Sequence, residues 1–143
     1  MTNAPQNLSA KYLFLTGPEA VVVEEGPAIW TELMSASSPA SQICKRLTQE
    51  DGFLVIEMTV TPDSGKQFEL HPNGDELLML IEGSADIVLE FESGTKVCSL
   101  RRVGDVCRIP RGTWHTQRLP EGVEKARIVG MTAGRGTQHD IRE

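Results

Sequence analysis

Short runs of valine, isoleucine, leucine and threonine, each broken off by glycine, proline or charged residues, fill the chain from Tyr12 to about residue 132. They predict strands at 12–16, 20–24, 42–49, 53–61, 66–71, 76–82, 84–91, 96–101, 106–109, 114–118 and 124–132. The separators, among them "TPDSG", "HPNGD" and "PRG", carry the turn chemistry of short antiparallel strands. Glu50–Gly52 and Glu92–Gly94 read as hairpin tips, where glycine supplies a positive φ. One short helix is expected at 28–36 ("AIWTELMSA"). Many short strands at close spacing predict an all-β sandwich or barrel with at most one or two short helices. Residues 1–11 are polar and read as a flexible N-terminal segment. No internal repeat or linker divides the rest, so 12–143 reads as a single domain.

A chain of 143 residues can bury a core without disulfides. Its net charge of −6, with no cluster of lysine or arginine, argues against nucleic acid or an anionic membrane as partner. The three cysteines, Cys44, Cys98 and Cys107, form no C-x-x-C pair. The N-terminus lacks a basic start followed by an apolar run, and no stretch of about 18 apolar residues exists. The cytoplasm is the expected location.

Candidate chemistry gathers in two segments, "ELHPNGDELLMLIEG" and "GDVCRIPRGTWH". On the strand "KQFELH", Gln67, Glu69 and His71 share one face and Phe68 and Leu70 the other. The "PNGD" turn then delivers Glu76 at the head of the next strand, so Glu69, His71 and Glu76 can converge. His115 must come from elsewhere, after the proline–glycine turn of "IPRGTWH". Imidazole and carboxylate together suit a divalent transition metal. Glu69 also reads as a solvent-facing residue of an amphipathic strand, and Glu76 as a partner for an arginine. Cys107 reads as a small buried hydrophobe rather than a nucleophile. Trp30 and Trp114 read as packing residues, and His139 as part of a solvated tail.

These segments resemble the two motifs of the cupin superfamily, G-x5-H-x-H-x(3,4)-E-x6-G and G-x5-P-x-G-x2-H-x3-N. His71, Glu76 and Gly83 match the second half of the first motif, and Gly104, Pro110, Gly112 and His115 match the second motif through its histidine. Three positions depart: Gly65 leaves only three residues before Glu69, Glu69 stands for the first histidine, and Leu119 for the terminal asparagine. The resemblance implies a double-stranded β-helix, the RmlC-like jelly roll of small single-domain bacterial cupins. It also implies Fe, Mn, Ni or Zn held by Glu69, His71, Glu76 and His115, or by the last three as a two-histidine, one-carboxylate site. A small oxygen-rich metabolite would then bind in the barrel, with dioxygenase, isomerase or lyase chemistry all open and no catalytic base assigned. A homodimer paired through the outer sheet is implied too. Two other readings stand beside it: a non-catalytic ligand-sensing module, and a metal-free sugar-modifying enzyme. The latter needs a tyrosine acid, and the only tyrosine, Tyr12, is far from both motifs in sequence.

Overall fold

The computed structural model describes residues 4–35 and 41–143, so residue 36 of the expected helix and residues 1–3 of the N-terminal segment lie outside it. The chain opens with β1 (Tyr12–Thr16), β2 (Glu19–Val23), α1 (Gly26–Met34), α2 (Gln42–Gln49) and β3 (Phe53–Val60). After a 3-10 turn come β4 (Gln67–Leu70), β5 (Glu76–Glu82), β6 (Ala85–Phe91) and β7 (Gly94–Leu100). It ends with β8 (Val106–Ile109), β9 (Trp114–Arg118), β10 (Ala126–Thr132) and β11 (Gln138–Ile141). All pairs are antiparallel, in a six-stranded sheet ordered β2-β1-β3-β10-β5-β8 and a five-stranded sheet ordered β11-β4-β9-β6-β7. The result is an all-β jelly roll with two short helices. Among the described residues no helix is long and apolar enough to cross a membrane.

Strand alternation builds the core. Leu78, Leu80 and Ile128 of the first sheet meet Ile87 and Leu89 of the second, each nearly or wholly excluded from solvent. A second cluster is built on β1 and β3. There Tyr12, Phe14, Leu54 and Ile56 are covered by Ile29, Trp30 and Leu33 of α1 and by Leu47 of α2. The helices thus cover the side chains that one face of β1 and β3 presents.

Three expectations are corrected. Residues 42–49 form α2, not a strand: Cys44 and Leu47 are buried one turn apart, and Ser41 caps the N-terminus by accepting the Cys44 N–H at 3.2 Å. Residues 50–52 therefore join a helix to β3 and are not a hairpin tip. The polar tail contains β11, which pairs with β4 and places His139 opposite Glu69.

Candidate metal centre

Two turns bring the site together. The chain leaves β4 at Leu70, turns through residues 72–75, and enters β5 at Glu76. The turn before β9 is tied to it twice: the Gly112 N–H donates to the His71 carbonyl, and the Arg111 N–H to Asp75 Oδ1, both at 2.9 Å. Gly112 has φ +75°, the left-handed conformation that glycine adopts freely. From that turn β9 runs back beside β4, with His115 paired to Glu69.

The four residues expected to hold a metal do come together: each offers a ligand atom within 4.8 Å of the others. His71, Glu76 and His115 are buried, and Glu69 is partly buried at their edge. Glu76 lies between the imidazoles, with Oε2 3.2 Å from His71 Nε2 and Oε1 3.0 Å from His115 Nε2. Glu69 Oε2 is 3.6 Å from His71 Nε2. These approaches are ionic in distance without hydrogen-bond alignment, so His71 Nε2, Glu76 Oε1 and His115 Nε2 are buried polar atoms lacking hydrogen-bond partners. Such atoms are costly unless something charged satisfies them.

The opposite ring nitrogens show what that something is. His115 Nδ1 lies 2.9 Å from the Thr113 carbonyl, which can only accept, so Nδ1 carries the proton. His71 Nδ1 lies 2.8 Å from Thr137 Oγ1, whose own hydrogen is donated to the Gly134 carbonyl at 2.9 Å. His71 Nδ1 is therefore the donor there too. In a neutral imidazole the other nitrogen, Nε2, then bears a lone pair. Both lone pairs face the Glu76 carboxylate, an arrangement that demands a cation: either a proton on each ring or a metal ion among them. A backbone or hydroxyl oxygen behind each histidine is the usual support of a metal-bound imidazole. Thr132 in turn donates its hydroxyl to Glu76 Oε2. The donor set and its support fit a divalent transition metal.

Protonation preferences of the site follow from the same geometry. Burial pushes the Glu76 carboxyl up, but the close approach and charge of His115 and His71 outweigh it and hold the group down to about 2. Burial opposes charge on His115, yet the neighbouring Glu76 carboxylate raises its pKa above the ordinary imidazole value. Burial, and then the Glu76 charge, raise Glu69.

Sequence reading missed the backing residues. Thr132, Thr137 and His139, whose Nδ1 is 3.6 Å from Glu69 Oε1, sit on or beside strands that return from the C-terminal segment. Tyr12, distant in sequence, lines the same cavity as Glu69 and His115. Cys107 is buried in the core, and burial pushes its thiol up to about 12, as a small hydrophobe rather than a nucleophile.

No family model and no curated protein matches the chain. Solved structures do. Oxalate decarboxylase from Bacillus subtilis, described with Mn(II) centres, matches at 18% identity over 64% of this chain and 24% of that chain, with a TM-score of 0.52. The structure of the same protein at low pH gives 0.51 over the same shares. Hydroxypropylphosphonic acid epoxidase from S. wedmorenis, in complex with fosfomycin, matches at 17% identity over 56% of this chain and 43% of that chain, with a TM-score of 0.48. The chain thus spans less than half the length of these proteins. Two facing antiparallel sheets, the motif residues at one end of them and the match to oxalate decarboxylase agree on one architecture: this chain has the cupin fold.

Proposed function

We propose that this chain is a small metal-binding cupin that holds a divalent transition ion (Fe, Mn, Ni or Zn) on Glu69, His71, Glu76 and His115. A small oxygen-rich metabolite would bind beside it in the barrel. The observation that carries the reading is the trio of buried, partnerless atoms on His71, Glu76 and His115, with both histidines locked from behind. Such an ion polarises a bound carbonyl or enediolate oxygen or, if iron, activates dioxygen. The protein's own part is to fix both imidazoles by Thr137 and the Thr113 carbonyl, to hold Glu76 ionised, and to admit ligand past Glu69.

The test is thermal unfolding of metal-stripped protein titrated with Mn(II), Fe(II), Ni(II) and Zn(II). A specific ion at about 100 times its Kd stabilises by about 2.7 kcal/mol. The reading expects at least one of the four to do so in the wild type, and none in a His71→Ala/His115→Ala double variant. No stabilisation by any of them would overturn it.

The assembly proposed with this activity is a cytoplasmic homodimer of one domain. Its support is the outer face of the larger sheet. Registered neighbours Val22, Leu13, Val55, Met131 and Leu77 form an unbroken apolar row across five strands. Leu15 beside Phe53 adds a second row, and both are exposed. Val55, at the middle of the first row, is buried and its row neighbours are half-buried, and a second copy of this face is the self-complementary partner such a surface suits.

A further inference from the structure

The cavity that reaches Glu69 and His115 measures about 310 Å³ and runs between the two sheets toward α1. Its walls differ in chemistry. On the smaller sheet, one alternation step from Glu69 and His115, Gln67 and Gln117 occupy the same inner face and line the cavity, the Gln67 amide donating to the sulfur of Met34 at 3.8 Å. Across from them stand Tyr12, Trp30, Ile56 and Met58, with Glu57 and Thr59 of the same strand also in the lining. Among the described residues no lysine or arginine lines it, and residues 1–3 and 36–40 contain neither. Arg118 follows Gln117 but belongs to the opposite sheet face by strand alternation. Arg127, one strand from Glu57, is held by Glu57 at 2.6 Å and by Glu82 at 2.9 Å.

Charge arithmetic at the centre points the same way. A divalent ion held by two neutral imidazoles and the carboxylates of Glu69 and Glu76 has no net charge left over. An anionic ligand would leave water for a neutral centre with no cationic side chain beside it, and its desolvation would go uncompensated. A neutral ligand loses less on entry and finds Gln117, and Gln67 in exchange for its weak contact with the Met34 thioether, to pair with its own polar groups, and apolar side chains for its body.

Resting on the metal reading above, we infer that this site selects an uncharged, amphipathic ligand: chelating oxygens at the metal, hydrogen-bonding groups on Gln67 and Gln117, and a flat apolar body against Trp30, Ile56 and Met58. It discriminates against small carboxylates. Glu69 is the specificity residue in this account, because its charge cancels the one a third histidine would leave at the metal.

The test uses Co(II)-loaded protein and a ligand pair matched in size and shape, one neutral and one anionic at the chelating group. Mandelamide is a neutral α-hydroxyamide with a phenyl ring, and mandelate is its carboxylate counterpart. Cobalt uptake is measured first, by elemental analysis. Binding is then followed at about pH 8 by calorimetry and by the visible cobalt band. The expected result is mandelamide binding tighter by about tenfold or more, with the ratio falling or reversing in Gln67→Arg, which supplies the missing cation. Mandelate binding as tightly as mandelamide to the cobalt-loaded wild type would overturn this inference and leave the metal reading intact. Failure to take up cobalt would overturn the metal reading, and this inference with it.

Discussion

Each ligand histidine has one nitrogen whose role is settled by an accepting oxygen, the Thr113 carbonyl behind His115 and, behind His71, the Thr137 hydroxyl whose own hydrogen goes to Gly134. That fact converts a cluster of acids and imidazoles into a candidate ion site, and it predicts which residues beyond the ligands matter. Removing the Thr137 hydroxyl leaves His71 free to rotate. Thr137→Val should weaken metal binding by roughly 10- to 100-fold, with Thr137→Ser restoring most of it; equal affinities in all three proteins would show that the contact is idle. The metal-free protein should also respond to pH in a defined way. Glu76 has a folded-state pKa of about 2 against an ordinary 4.5, so its stabilisation is present above 4.5 and is lost as pH falls toward 2. His115 is shifted upward from 6.5, so its stabilisation is present below 6.5 and is lost as pH rises through its folded value. Chelator-treated protein should therefore melt at a lower temperature at about pH 8 than at about pH 5.5. Metal-loaded protein should show the reverse, since the ion competes with those protons. The residues at the centre were legible in the sequence because the spacing from His71 to Glu76, and from Gly104 to His115, is itself the signal. Thr132 and Thr137 were not, since a threonine hydroxyl carries no mark of the residue that it will support.

Among the elements, α2 and β11 are where sequence reading failed, for opposite reasons. The run "QICKRLTQ" is short and mixes β-branched with charged residues, and its deciding feature is Ser41, which accepts the Cys44 N–H and starts a helix. Read with that cap, Ile43, Cys44 and Leu47 fall on one helical face. Ser41→Ala should cost about 1 kcal/mol in urea unfolding; an unchanged midpoint would mean that the cap contributes nothing. β11 has no apolar face to detect, since all four of its residues are exposed. It forms because the edge of β4 is open to it, a tertiary cause invisible in local pattern. Its Arg142 neighbour stacks over Phe68 at 3.9 Å and pairs with Glu90 at 2.7 Å, so the C-terminal segment is fastened across the smaller sheet. By contrast β1, β5 and β8 matched expectation to the residue, because each is a run bounded by glycine, proline or charge.

As a whole the molecule is a jelly roll with two differently finished sheets. One end of the interior is polar and acidic, built from the Glu69–His71 and Glu76 turn and from His115. The packed core beyond it is apolar, and the larger sheet carries an apolar row on its outward face. If that face pairs two copies, sedimentation should give twice the 15.7 kDa subunit mass, and Met131→Asp, within the apolar row, should shift it toward one subunit. A wild-type mass of one subunit would contradict the dimer. The central claim is narrower and concerns the ion. The direct test is elemental analysis of protein purified without a histidine tag, beside His115→Ala prepared in parallel. About one equivalent of Fe, Mn, Ni or Zn in the wild type, lost in the variant, is the predicted result. Wild-type protein that carries none, and takes up none on incubation with each ion, would contradict it.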